Sequence, residues 1–190
     1  MIYIKDEEFI RGKVPMTKEE VRILSISKLE LKDSSKVLDV GAGTGSVSVQ
    51  MSKMCKSVIA IEKEQDAFDL ILENKNKFNC DNLEVILGEA LETLNNFPDD
   101  NFDGIFIGGS GGNLEEIIKV SHNRLKKLGK IVLNFITLDN CYKACETLKA
   151  LNYNIEITQV NISKNIKGSY MLTSNNGIFI VSGRKETTNE

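Results

Sequence analysis

From Lys36 onward, short apolar runs alternate with stretches of helical periodicity, and this alternation decides the fold class. Lys36–Val40, Ser57–Glu62, 82–87, Phe102–Ile107 and 130–136 read as buried strands. Residues 44 to about 54, 65–78, 114–125 and 138–151 read as helices; Leu114, Ile117, Ile118, Ser121 and Leu125, for example, share one face. Strands separated by helices pair in parallel, because the helix supplies the crossover that a parallel pair needs. The tail breaks the pattern. Residues 153–162 and 177–183 read as two strands with no helix between them, which makes them antiparallel. The expectation is therefore an α/β protein with a doubly wound sheet and a C-terminal antiparallel hairpin. A first helix, about 18–29, is expected behind a capping box formed by Thr17 and Glu20. Gly129 stands where a helix stop belongs, and residues 186–190 are expected to fray.

Length and charge narrow the function classes. At 190 residues, 1–190 reads as one domain with a proper core. Lys and Arg number 24 against 27 Asp and Glu, for a net charge of −3; 41% of residues are hydrophobic. That balance excludes a disordered or fibrous chain and gives no sign of a nucleic-acid partner. No apolar run reaches the roughly 18 residues of a membrane span, and the charged opening MIYIKDEEFIRGK lacks the apolar centre of a signal peptide. A cytoplasmic protein without a membrane partner is expected. Cys55, Cys80, Cys141 and Cys145 form no C-x-x-C pair, and His122 is the single histidine. Four reduced structural cysteines and no metal site follow. His122 is expected at the surface.

The stretch Val37-Leu38-Asp39-Val40-Gly41-Ala42-Gly43-Thr44-Gly45 carries the chemistry. Glycines directly after a first strand allow a sharp turn and a close approach of ligand to backbone. Their spacing is G-x-G-x-G rather than the G-x-G-x-x-G of dinucleotide binders, and no Gly-Lys-Ser/Thr follows to cradle phosphates. Glu62 ends the second strand, where a carboxylate can accept from ribose hydroxyls. Gly88-Glu89-Ala90 ends the third, at the adenine edge of the same geometry; the Ala90 N–H is the firmer contact there. After the fourth strand, Gly108, Gly109, Ser110, Gly111, Gly112 and Asn113 give open space and N–H groups suited to carboxylates.

This combination resembles the class I S-adenosylmethionine-dependent methyltransferases, whose Rossmann-like seven-stranded sheet has the same element order. The resemblance implies S-adenosyl-L-methionine as cofactor, with Gly41, Ala42, Gly43, Thr44 and Gly45 around its methionine part, Glu62 on the ribose and Glu89-Ala90 on the adenine. Most class members have Asp at the position of Glu89. Longer segments go further: RGKVPMTKEEVR at 11–22, GGSGGN at 108–113, VNIS at 160–163 and IFIVSGR at 178–184. They resemble the decarboxylating precorrin C15-methyltransferases of anaerobic cobalamin biosynthesis along nearly the whole chain. That family implies a cobalt-precorrin-6B substrate, a methyl group placed on C15, loss of carbon dioxide from the C12 acetate, a homotetramer, and contact of Thr17 with the cofactor. Lys127-Leu128-Gly129 departs from the Pro-Gly pair common there.

An already activated sulfonium methyl needs alignment more than acid–base help, so no general base is assigned. Arg11 and Lys13 are candidates for substrate carboxylates. The competing readings are an RNA (tRNA adenine N1) or protein methyltransferase of the same fold, an NAD-dependent oxidoreductase, and a non-catalytic module that senses the cofactor.

Overall fold

A computed structural model describes residues 3–109, 112–166 and 168–186. β1 (Lys36–Val40), β2 (Ser57–Glu62), β3 (Leu83–Leu87), β4 (Phe102–Ile107) and β5 (Leu125–Phe135) form the parallel part of a seven-stranded sheet. β6 (Tyr153–Val160) and β9 (Ile178–Lys185) complete it in the order β3-β2-β1-β4-β5-β9-β6. β9 runs antiparallel to both β5 and β6, so the reversed strand is the penultimate one. The expected doubly wound sheet with its terminal hairpin is thus the fold observed.

Side chains alternate across the strands. Val37, Val58 and Phe106 pack under α1 (Glu19–Lys28), α2 (Ser46–Ser52) and α3 (Gln65–Lys77). Leu38, Ile59 and Ile105 pack under α4 (Ala90–Asn95), α5 (Leu114–Arg124) and α6 (Leu138–Ala150). Consecutive crossings therefore bury both faces, and the strand-order reversal falls between β1 and β4. There the carboxyl ends part and leave a crevice for ligands.

Two local expectations fail, and two elements go unread. The capping box at Thr17 does not form: α1 begins at Glu19 with Lys18 as its cap residue and no side-chain cap bond. The Glu20 carboxylate that the box requires goes to a tertiary partner, and the Thr17 backbone is held by the first helix itself. Glu20 pairs with Lys164, and the Thr17 carbonyl accepts from Arg22 at 2.9 Å. Gly129 is not a helix stop, because α5 already ends at Arg124 and β5 starts at Leu125. The register against β4 jumps from Phe102↔Leu125 to Gly104↔Lys130, so β5 bulges there. α4 was not expected at all. Between β6 and β9, a small antiparallel arm, β7 (Ser163–Asn165) with β8 (Leu172–Ser174), also goes unread in the sequence. Of the tail expected to fray, residues 187–190 lie outside the described residues.

The bulge holds Leu128 at φ 62° with its side chain 55% exposed. A left-handed leucine costs about 1–2 kcal/mol, and an exposed side chain returns little of it. Leu128→Gly is expected to raise stability by about 0.5–1 kcal/mol after the entropic cost of glycine. A higher urea midpoint at unchanged slope reads this; a lower midpoint contradicts it.

Candidate active site

The loop after β1 is built to stand still. The N–H groups of Gly41 and Ala42 donate to the Ile61 carbonyl at 3.0 and 3.1 Å, and that of Gly45 donates to the Ala42 carbonyl at 2.9 Å. The Gly43 N–H donates to Glu62 Oε2 at 2.8 Å. Gly41 adopts φ +71°, and a Cβ there would lie 2.7 Å from the Gly109 carbonyl oxygen. Only glycine lets the β1 and β4 loops touch at that point. Glu62 is buried, and its Oε1 accepts from the N–H groups of Lys63 and Glu64 at 2.8 and 3.1 Å. Three of about four acceptor positions on this carboxylate are therefore engaged by backbone. It fastens the loop before it meets any ligand, and one position stays open for a hydroxyl.

Two cavities meet at Gly41. The smaller, about 160 Å³, is lined by Glu62, Lys63, Gly88, Glu89, Ala90 and Gly109. Ala90 opens α4, so its N–H is among the donors that a helix start leaves unbonded. The Glu89 carboxylate is exposed and stands 3.7 Å from Lys63 Nζ. The larger cavity, about 310 Å³, lies between residues 15–18, loop residues 41–44, Gly108 and an apolar wall. Phe106, Phe135, Val160, Ile162 and Ile178 supply that wall.

Two buried oxygens at this cavity lack partners: Asp39 Oδ1 and Thr44 Oγ1. Buried polar atoms without partners are rare in folded proteins and suit a polar ligand group. Asp39 is fully buried, and the Ser48 hydroxyl donates to its Oδ2. Burial pushes its carboxyl up to about 7; the Ser48 hydrogen bond opposes the rise and the nearby Glu62 charge adds to it. Asn134 and Ser25 share a mutual hydrogen bond of 2.9–3.0 Å beside the same space.

An N-terminal strap, residues 3–18, closes the larger cavity. Fully buried Arg22 holds it: the guanidinium donates to the Ile4 carbonyl at 2.5 Å, the Thr17 carbonyl at 2.9 Å and Asp6 at 3.0 Å, and lies 4.8 Å over the Phe9 ring. Buried Asn74 on α3 accepts from the Ile10 N–H and donates to the carbonyls of Ile10 and Thr44, joining strap to glycine loop.

Most residues read as site candidates converge here. Thr17, Gly41, Ala42, Gly43, Thr44 and Gly108 line the larger cavity; Gly41, Glu62, Glu89, Ala90 and Gly109 line the smaller. Gly45, buried against Ile71, and the exposed Gly112 and Asn113 line neither, and Ser110 and Gly111 lie outside the described residues. Arg11 is exposed and borders neither cavity, and Lys13 sits in a separate recess with Glu64 and Asp66. Lys18 lines the larger cavity instead. Asp39 was not singled out, although a carboxylate inside an apolar strand is a usable signal. His122 is half-buried rather than at the surface, with Nδ1 3.2 Å from the Tyr153 hydroxyl; burial lowers its pKa. All four cysteines are buried, and burial pushes the Cys55 and Cys145 thiols up to about 11. Such thiols are poor nucleophiles. Among the described residues no cluster could hold a metal ion.

A family model described as the precorrin methyltransferase domain matches residues 8–180. The chain belongs to this family. A precorrin methyltransferase relative from Sulfurisphaera tokodaii, named "Probable cobalt-precorrin-6B C(15)-methyltransferase (decarboxylating)", is 45% identical over 96% of this chain and 97% of its own. Among solved structures, one described as a precorrin-6Y C5,15-methyltransferase from Geobacter metallireducens is 40% identical, covers 97% of this chain and 98% of its own, and superposes with a TM-score of 0.91. Another, from Methanobacterium thermoautotrophicum and described as a precorrin 8w decarboxylase, is 31% identical over 95% of this chain and 98% of its own, with a TM-score of 0.89. The precorrin methyltransferase fold thus spans nearly the whole chain.

Proposed function

We propose that this protein transfers a methyl group from S-adenosyl-L-methionine to C15 of cobalt-precorrin-6B, with loss of carbon dioxide from the C12 acetate, in anaerobic cobalamin biosynthesis. The observation that carries the reading is the pair of cavities joined at Gly41, one edged by Glu62 and Ala90, the other ending in the orphaned oxygens of Asp39 and Thr44. The names of close relatives give the tetrapyrrole. The RNA-methylating reading is not favoured, since neither the charge balance nor those names support it.

The residues fit the cofactor. Glu62 has one acceptor position left for a ribose hydroxyl, and Ala90 offers an N–H to the adenine, with Glu89 beside it. Residues 41–44 and Thr17 would surround the methionine part, with Gly45 turning the loop into α2, and Asp39 would receive its ammonium group. When bound, S-adenosyl-L-methionine supplies a methyl group already activated on sulfonium. The protein then has to orient the acceptor carbon and exclude water. Positioning of this kind is worth roughly 7–11 kcal/mol. Gly108 leaves room for the ring edge, and the wall of Phe135, Val160, Ile162 and Ile178 keeps the reacting acetate dry. In that apolar setting the carbon–carbon bond to the carboxylate breaks, its electron pair passes into the conjugated ring, and a proton later replaces the lost carbon dioxide. No general acid or base is assigned.

The chain acts as one domain, 1–190, and assembles as a homotetramer. Ile166, Tyr170, Met171 and Leu172 on the β7–β8 arm are 42–102% exposed, which supports a contact between subunits. A cytoplasmic location accords with the absence, among the described residues, of any helix long and apolar enough to cross a membrane. Incubation with methyl-labelled S-adenosylmethionine and cobalt-precorrin-6B, read by mass spectrometry, tests the proposal. One methyl gained and one carbon dioxide lost is the expected product. An unaltered tetrapyrrole, with labelled RNA in a parallel incubation, overturns it.

A further inference from the structure

We propose that Lys18 anchors a carboxylate of the tetrapyrrole other than the acetate that is lost; the inference rests on the tetrapyrrole reading above. Lys18 is the one cationic residue among the described residues lining the larger cavity. It is half-buried, and among the described residues no carboxylate pairs with it. Of the acids around it, Glu20 pairs with Lys164 and Asp6 with Arg22, while Glu19, next in the chain, forms no ion pair with it. The backbone beneath it is fixed from both sides. Its own carbonyl accepts from the Arg22 N–H at 2.8 Å, and the preceding carbonyl accepts from the Arg22 guanidinium. Lys18 also caps α1, a ten-residue helix whose positive end adds to its field.

Charge chemistry decides which carboxylate it takes. Decarboxylation turns a carboxylate into neutral carbon dioxide while the bonding pair enters the ring. An ammonium group beside that carboxylate stabilises the anion more than the transition state and slows the step. The leaving acetate therefore belongs against Phe135, Val160, Ile162 and Ile178, which offer it no counter-charge. Lys18 holds a neighbouring side chain and so sets which acetate meets the apolar wall.

Lys18→Met removes the charge and keeps most of the stem; Lys18→Arg keeps the charge. With cobalt-precorrin-6B, Lys18→Met is expected to raise the tetrapyrrole KM about tenfold or more, with the S-adenosylmethionine Kd and the urea midpoint unchanged. Methyl transfer and carbon dioxide release should stay equimolar, and Lys18→Arg should recover most of the affinity. An unchanged KM overturns the proposal. So does faster carbon dioxide release than methyl transfer, which would put the ammonium on the leaving acetate. Binding of uroporphyrin, an octacarboxylate macrocycle, followed by fluorescence, separates this inference from the assigned reaction. If uroporphyrin binding depends on Lys18 but cobalt-precorrin-6B is not turned over, the anchor stands and the reaction falls. Equal binding by wild type and Lys18→Met removes the anchor.

Discussion

Gly41→Ala is expected to abolish S-adenosylmethionine binding and to lower stability by about 2–4 kcal/mol. The added methyl meets three backbone atoms of Gly109 at 2.7–2.9 Å, and backbone cannot turn aside as a side-chain tip can. The left-handed φ of +71° adds strain of its own. Both cavities touch this residue, so parting the β1 and β4 loops distorts the two halves of the site together. Gly112→Ala is the matched control. Its φ is +103°, but a Cβ there meets nothing within 4 Å. It should lose about 1 kcal/mol and keep its affinity for the cofactor. Calorimetric titration and urea unfolding of both variants measure the contrast. A normal titration of Gly41→Ala would move the site away from this crossing.

Asp39→Asn is expected to strengthen the fold above pH 7 while weakening cofactor binding about a hundredfold. The folded protein holds the Asp39 proton up to about pH 7, whereas an unfolded chain releases it near the ordinary carboxyl value of 3.8. Stability from this group is complete below pH 4 and is lost as pH rises through about 7. Above that point an ionised carboxylate is confined without a counter-charge, at a cost of up to about 4 kcal/mol. Asparagine fills the same volume without it, so the pH dependence should flatten and the melting temperature at pH 8 should rise. Binding runs the other way. If the carboxylate receives an ammonium group, wild-type affinity climbs with pH through 7, and the variant shows neither the climb nor the affinity. A variant less stable than wild type at pH 8 would contradict the account of burial; full affinity would contradict the assigned partner.

The sheet was legible because its central strands are short apolar runs with abrupt ends. β1, β2 and β4 begin and end where the sequence reading puts them, each closed by a glycine or by charged residues. Where a segment earns its structure from distant partners, the reading fails. Thr17 and Glu20 satisfy the local rule for a helix cap, but Lys164 takes the Glu20 carboxylate that the rule requires. The β7–β8 arm is exposed on all its strand residues, so no burial pattern marks it. α4 has only six residues, too few to show a period. The site divides in the same way. The glycine loop and Glu62 announce themselves by spacing. The choice of Lys18 over Arg11 and Lys13, which lie within seven residues of it, depends on how the strap folds back, and spacing alone does not encode that.

The strap has a bearing on how the molecule is made. Ile4 is secured by Gln50 and Ile10 by Asn74, groups that leave the ribosome long after their partners. That segment, made before either helix, therefore waits, unattached, until α2 and α3 have been synthesised and seated. A nascent chain stalled before Asn74 should leave residues 3–18 open to protease, and protection should arrive in one step once that helix is out of the exit tunnel.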